Sequence, residues 1–298
     1  MMHNMLVIDE KKELDALVSL MDEPNEVMFG EIRKKVLGYG KLAIPVLEEA
    51  WVNTLGDHDS DRIEGLIDEI RQEELILEFS EWAKVSNGNI FNGLVILTKY
   101  FQPKFNEELY TEKFEKLFRE VWLEINESLT ALEKIKVLNH VFYRVYQFSG
   151  EPTTNSKTDT YFLNKIFDHK KGNPVSLGII YSAVAQRLNI PIFGVNLPDH
   201  FILSYMDDIE DVRLPGEYEE SDVLFYLNAV NKGAIFTRKE VNHYINQMQI
   251  DTKPEFFLPC SNLNVIKRMI TDLILTFEKE NEYSKILVLK RLLAELDS

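Results

Sequence analysis

Ser176, His200 and Asn228 have the residue types of a nucleophile, a base and the group that orients the base. A hydroxyl attacks a carbonyl only if a base takes its proton during attack. An imidazole serves as that base when a third group fixes which ring nitrogen carries hydrogen. An amide can fix it by accepting the imidazole N–H, although it supplies no charge to stabilise imidazolium. The chemistry of such a set is acyl transfer on peptide-like amides, with helix N-terminal amides as an oxyanion hole. Plainer roles stand beside it: Ser176 can bond nearby backbone or cap a first turn, and His200 can be a satisfied residue at a strand start.

The elements that must position these side chains lie in one stretch, Lys171 to Met206, and its continuation. Asn173 has the type of an N-cap, and Pro174 follows at the first helical position, where its missing N–H costs nothing. Val175 to Leu188 is apolar nearly all round, which predicts a buried helix with Ser176 as its third residue. The partial positive charge of that helix end favours a thiolate and does much less for a hydroxyl. Asn189 suits a left-handed terminator. Pro191 to Asn196 and Phe201 to Tyr205 read as strands joined by a Leu197-Pro198-Asp199 turn. Val223 to Leu227 is a third strand, and Asn228 to Gly233 turns the chain.

The run GNPVSLGIIYSAVAQRLNIPIFGVNLPDHFIL resembles the transglutaminase-like superfamily, and more closely its SirB-type branch. Members of that branch carry a G-N/I-P-I-S-L helix, a G-L-P-V-x-G-V strand, a G-H-F strand and a later D-P-F-N-G-G turn. The resemblance covers about residues 130 to 250. It places Ser176 where the active relatives hold Cys, His200 at the His and Asn228 at the Asp. YLNAVNKG looks like the D-P-F-N-G-G turn, with Asn231 and Gly233 matching, and Asp199 replaces the Gly before the His. Asn173, Asn231 and Gly233 are therefore the candidate binding residues. The implied fold is α+β and mainly helical: a papain/transglutaminase-like core, with a buried central helix and a small antiparallel sheet, flanked by N-terminal helical repeats and a C-terminal helix hairpin.

The flanks fit that layout. Residues 1–104 form a helical region whose short amphipathic helices suit either a HEAT-like repeat or an irregular bundle. Residues 105–250 are the transglutaminase-like core. One helix is expected from Ser128 to Phe148, opened by Thr130 and Glu133 at capping-box spacing. Residues 251–298 carry two helices resembling a tetratricopeptide hairpin, which cannot bury its own core alone. Gly150 to Thr160 and the acidic stretch Asp207 to Asp222 read as loops.

The chain has 298 residues and a net charge of −16, which argues against nucleic-acid binding through a basic face. Its one cysteine, Cys260, permits neither an intramolecular disulfide nor a Cys-based zinc site, and matches no catalytic position. No signal peptide and no membrane span is read, so a cytoplasmic protein is expected, with no cofactor and no metal. Lacking a thiol and a carboxylate at two of three places, the chain is expected to be a non-catalytic interaction or regulatory module with a protein or peptide partner. The alternatives are a Ser-His-Asn hydrolase or acyltransferase, and a small peptide or amine binding protein.

Overall fold

A computed structural model describes residues 11–53, 57–84, 88–151, 157–207 and 218–297. They divide into two compact units, one ending at Glu78 and one beginning at Phe79. The first unit is helical, with α1 (residues 11–18), α2 (Glu26–Gly38), α3 (Ile44–Asn53) and most of α4 (Asp57–Lys84). Asn25 caps α2 by accepting from Val27 N and Met28 N. Apolar positions at helical spacing, among them Leu14, Val18, Ile32, Val36, Leu47, Leu66 and Ile70, form one core.

The second unit contains α5 (Ile90–Phe101), α6 (Glu107–Glu124), α7 (Ala131–Asn139), α8 (Leu163–His169), α9 (Pro174–Arg187), α10 (Arg238–Gln247), α11 (Asn262–Glu280) and α12 (Tyr283–Leu296). Its strands are β1 (Ser149–Gly150), β2 (Lys171–Gly172), β3 (Ile192–Leu197), β4 (His200–Met206), β5 (Val223–Asn228) and β6 (Ala234–Phe236). β3, β4, β5 and β6 make an antiparallel sheet in that order, while β1 and β2 form a separate two-residue parallel pair. The fold is thus α+β, mainly helical, with a small antiparallel sheet. The sequence-based divisions at 104 and 250 fall inside this unit.

α9 is the centre of the unit. Pro174 to Ala185 are buried without interruption, because the helix packs on β3 and β4 and also meets α5 and α11. Asn189 takes the expected left-handed conformation, φ 55°. The strand pairing runs from Ile192 opposite Tyr205 to Leu197 opposite His200, so the turn before His200 is tight. The helix and sheet approach closely at Gly178: a Cβ there would lie 2.6 Å from Cε1 of Phe201.

Several elements differ from the sequence reading. The helix expected to run unbroken to Phe148 gives way at His140–Val145 to a π-helical turn. Tyr146 N–H bonds to Val141 O at 2.9 Å, an i to i−5 link that absorbs one extra residue. The capping box at Thr130 and Glu133 is formed. β6 adds a fourth strand, too short at three residues to carry an alternating pattern. Of the two expected loops, residues 152–156 and 208–217 lie outside the described residues, while Thr158–Tyr161 forms a 3₁₀ turn. No helix among the described residues is long and apolar enough to cross a membrane.

Gly178→Ala separates packing from propensity. Alanine in a helix interior should stabilise by up to ~1 kcal/mol, but the contact with Phe201 should reverse the sign and cost about 1–3 kcal/mol. Urea unfolding should show the loss, and Phe201→Leu should recover part of it in the double variant. A neutral or stabilising Gly178→Ala would contradict the close approach.

Candidate functional site

Ser176 sits where the sequence puts it, at the third position of α9, and it is fully buried. A helix start buried this deeply must satisfy its free N–H groups from the protein. Asn173 Oδ1 accepts from Ser176 N at 2.9 Å, and Ser176 Oγ accepts in return from Asn173 N at 3.1 Å. The Ser176 hydroxyl donates to Thr160 O at 2.7 Å, with Asn173 O at 3.3 Å as a second acceptor. Asn173 Nδ2 also reaches Thr160 O at 3.4 Å. Thr160 and Asn173 are themselves buried. The group fastens the 3₁₀ turn before α8 to the start of α9, and no hydrogen bond among the described residues joins Ser176 to His200. Ser176 therefore has the capping role, and its proton already has an acceptor.

His200 opens β4 and is half-buried. Its Nε2 lies 3.4 Å from Nδ2 of Asn228, the last residue of β5. The sequence thus brings His200 and Asn228 together, but with the opposite polarity from the one expected. Asn228 Oδ1 accepts from both Val230 N and Asn231 N at 3.1 Å. Two backbone donors identify that atom as the oxygen, which leaves the NH₂ group facing the ring. Asn228 donates to the imidazole instead of accepting from it. The physical reason is local: an Asn before a turn bonds the backbone two and three residues ahead.

The turn is held from outside as well. Gly233 N donates to Asn228 O at 2.9 Å. Asn139, at the end of α7, donates through Nδ2 to Gly233 O at 3.1 Å and accepts from Tyr181 OH at 3.0 Å. Tyr143 in the π turn donates to Ala229 O at 2.8 Å. Gly233 has φ 66°, and a Cβ there would fall 1.9 Å from Asn139 Oδ1, so both conformation and space require glycine. Of the candidate binding residues, Asn173 is a buried cap, while Asn231 and Gly233 are members of this turn.

Around His200, Asp199 adopts φ 53°, the left-handed conformation that glycine takes most readily. Tyr244 has its ring 5.6 Å from the imidazole and its hydroxyl 3.3 Å from Pro198 O. Arg268 donates to Leu197 O at 3.0 Å and to Asp272 at 2.9 Å. Burial, and then the Arg268 cation, push the His200 pKa down, so the ring is neutral near pH 7. Burial pushes the Cys260 thiol up to about 12, and such a thiol is no nucleophile at neutral pH. Among the described residues no three His, Cys, Asp or Glu converge as metal ligands. Sequence reasoning missed Thr160, Asn139, Tyr143 and Arg268, which act through backbone carbonyls far away in the chain and so leave no local spacing to read.

Comparison with known proteins places this geometry in a lineage. The model of the transglutaminase-like superfamily matches residues 108–271, more than half of the chain. F-box only protein 21 of Mus musculus is 27% identical over 115 residues, 38% of this chain and 17% of that protein. A UPF0162 protein of Xylella fastidiosa is 24% identical over 156 residues, 52% of this chain and 51% of the relative. Protein SirB1 of Salmonella typhimurium is 25% identical over 118 residues, 40% and 44% of the two chains. The chain thus matches about half or less of these relatives' lengths. No solved structure matches it.

Two measurements check the site. Ser176→Ala removes a buried donor and acceptor and leaves Asn173 N and Thr160 O only long 3.4 Å contacts, with each other and with Asn173 Nδ2, so urea unfolding should show a loss of about 1–3 kcal/mol. A change near zero would mean that the hydroxyl is not engaged as described. His200 binds a proton less readily folded than unfolded. Its contribution to stability is therefore present above the ordinary histidine range and is lost as pH falls through the lowered folded value. Comparing unfolding at about pH 7 and about pH 5, His200→Phe should lose less stability on acidification than the parent; an equal or larger loss would refute the lowered pKa.

Proposed function

The chain belongs to the transglutaminase-like superfamily, and from that premise we propose that it acts as a non-catalytic interaction or regulatory module with a protein or peptide partner. The observation that carries this reading is the Ser176 hydroxyl, fully buried and donating to Thr160 O at 2.7 Å. By the resemblance, Ser176 stands at the nucleophile place. A nucleophile needs a route to its substrate and a base within hydrogen-bond reach, whereas this hydroxyl is engaged with backbone in the interior. The His200–Asn228 contact supports the same reading. An imidazole that accepts at Nε2 carries its hydrogen on the other nitrogen and has no lone pair there to take a proton from a nucleophile.

The competing hydrolase reading is tested directly. The purified protein should neither react with a serine-directed phosphonate nor hydrolyse peptide or amide substrates above the buffer rate, and Ser176→Ala should leave that baseline unchanged. Turnover that disappears in Ser176→Ala, or labelling mapped to Ser176, would sink the non-catalytic reading.

A further inference from the structure

We infer that the first unit docks a basic, amphipathic segment of a partner protein in the groove between α1 and α3, with apolar side chains on its floor and lysine or arginine along its rim. This goes beyond the reading above, because it involves neither Ser176 nor His200 and holds whether or not amides are turned over.

The groove has a volume of about 560 Å³, room for the side chains of a bound segment. Val18, Met21 and Ile63, all members of the unit's core, line its floor. On one side Asp15, Ser19 and Asp22 recur at helical spacing, and on the other Glu49 and Asn53 stand four residues apart on α3. All five are exposed. A second hollow of about 280 Å³ shares Lys11, Val46 and Glu49 with the first and is lined beyond them by Leu14, Tyr39 and Leu42. Leu42 is 65% exposed, so the apolar surface runs on toward solvent. An open apolar trough with a polar rim is the form of an interaction surface.

Charge selects the occupant. Residues 1–78 carry 19 Asp and Glu against 8 Lys and Arg, so this unit holds −11 of the chain's −16. Its three arginines are already paired: Arg33 with Glu69, Arg62 with Glu26 and Arg71 with Glu48. Asp15, Asp22 and Glu49 make no ion pair among the described residues. Lys11 is the groove's one cation among those residues, and the three carboxylates outnumber it. They are spread along the rim: among the described residues no three His, Cys, Asp or Glu gather closely enough to hold a metal ion. A spaced row of anions over an apolar floor is complementary to a spaced row of cations with apolar side chains between them. The same field repels nucleic acid and anionic lipid surfaces.

The test is fluorescence anisotropy on the full chain, with a short labelled peptide that carries leucine at helical spacing and lysine between. It should bind, and binding should weaken as salt rises. Versions with serine for leucine, or glutamate for lysine, should bind at least about tenfold more weakly. The triple variant Asp15→Asn, Asp22→Asn, Glu49→Gln should lose about tenfold or more in affinity. Glutamine at the exposed Glu107, Glu124 and Glu127 removes the same charge elsewhere and should change affinity by less than about twofold. Ser19→Trp fills the groove without altering charge and should abolish binding; if circular dichroism shows that it does not fold, the triple variant decides. No binding by the leucine–lysine peptide would overturn the proposal. So would equal losses in the two charge variants, since net charge alone would then explain the binding. Displacement by an equal concentration of spermidine would put a small polycation in the groove, and self-association of the free chain that Ser19→Trp abolishes would put a second copy there. Either result overturns the assignment to a partner segment.

Discussion

A helix start with no access to water is the constraint on which the second unit depends. α9 is buried on every side, so its first N–H groups must be met by protein. The reciprocal Asn173–Ser176 box meets two of them, and the Ser176 hydroxyl then reaches across to Thr160 O. That last bond ties the preceding turn to the helix. The chemistry that suggests a nucleophile from residue type is the same chemistry that makes a good interior cap. Burial weighs toward the cap, because an interior hydroxyl that gives up its partner leaves a buried carbonyl with one hydrogen bond fewer.

The His200–Asn228 pair shows a second conflict of the same kind. An amide oxygen at the end of a strand has two claimants, the imidazole and the backbone of the turn. Here the turn has it, and the turn is fastened through Asn139 and Tyr143. The π-helical turn that brings Tyr143 to Ala229 thus bears on the site without touching it. Irregular helical turns concentrate near functional places for this reason: they re-aim side chains that a regular helix would present elsewhere.

Much of this was legible in the chain. Apolar residues all round α9, Asn173 before Pro174, the β-branched and aromatic runs and Asn189 as terminator are signals carried by neighbouring residues, and they gave the helix, three of the four sheet strands and the adjacency of His200 and Asn228. What stayed hidden depends on partners remote in sequence. The π turn replaces regular helix where the apolar spacing continues unbroken from Ile135 through Val145. β6 is three residues long. The direction of the Asn228 hydrogen bond turns on which of two nearby groups claims one oxygen. A local hint existed even there, since Asn is the residue that most readily folds onto its own following backbone.

The small parallel pair β1–β2 has a consequence of another kind. Ser149 N bonds to Lys170 O and Glu151 N to Gly172 O, so the chain between these strands is a closed ring with a stitched neck. The neck sits immediately before Asn173 and thereby fixes where α9 begins. Once a neck is closed, the entropy of the ring grows only slowly with its length, by about 0.6 kcal/mol per doubling. Extra length in that ring therefore costs little, but its content is constrained: Thr160 carries the acceptor for Ser176, and Leu163, Ile166 and Phe167 of α8 are buried.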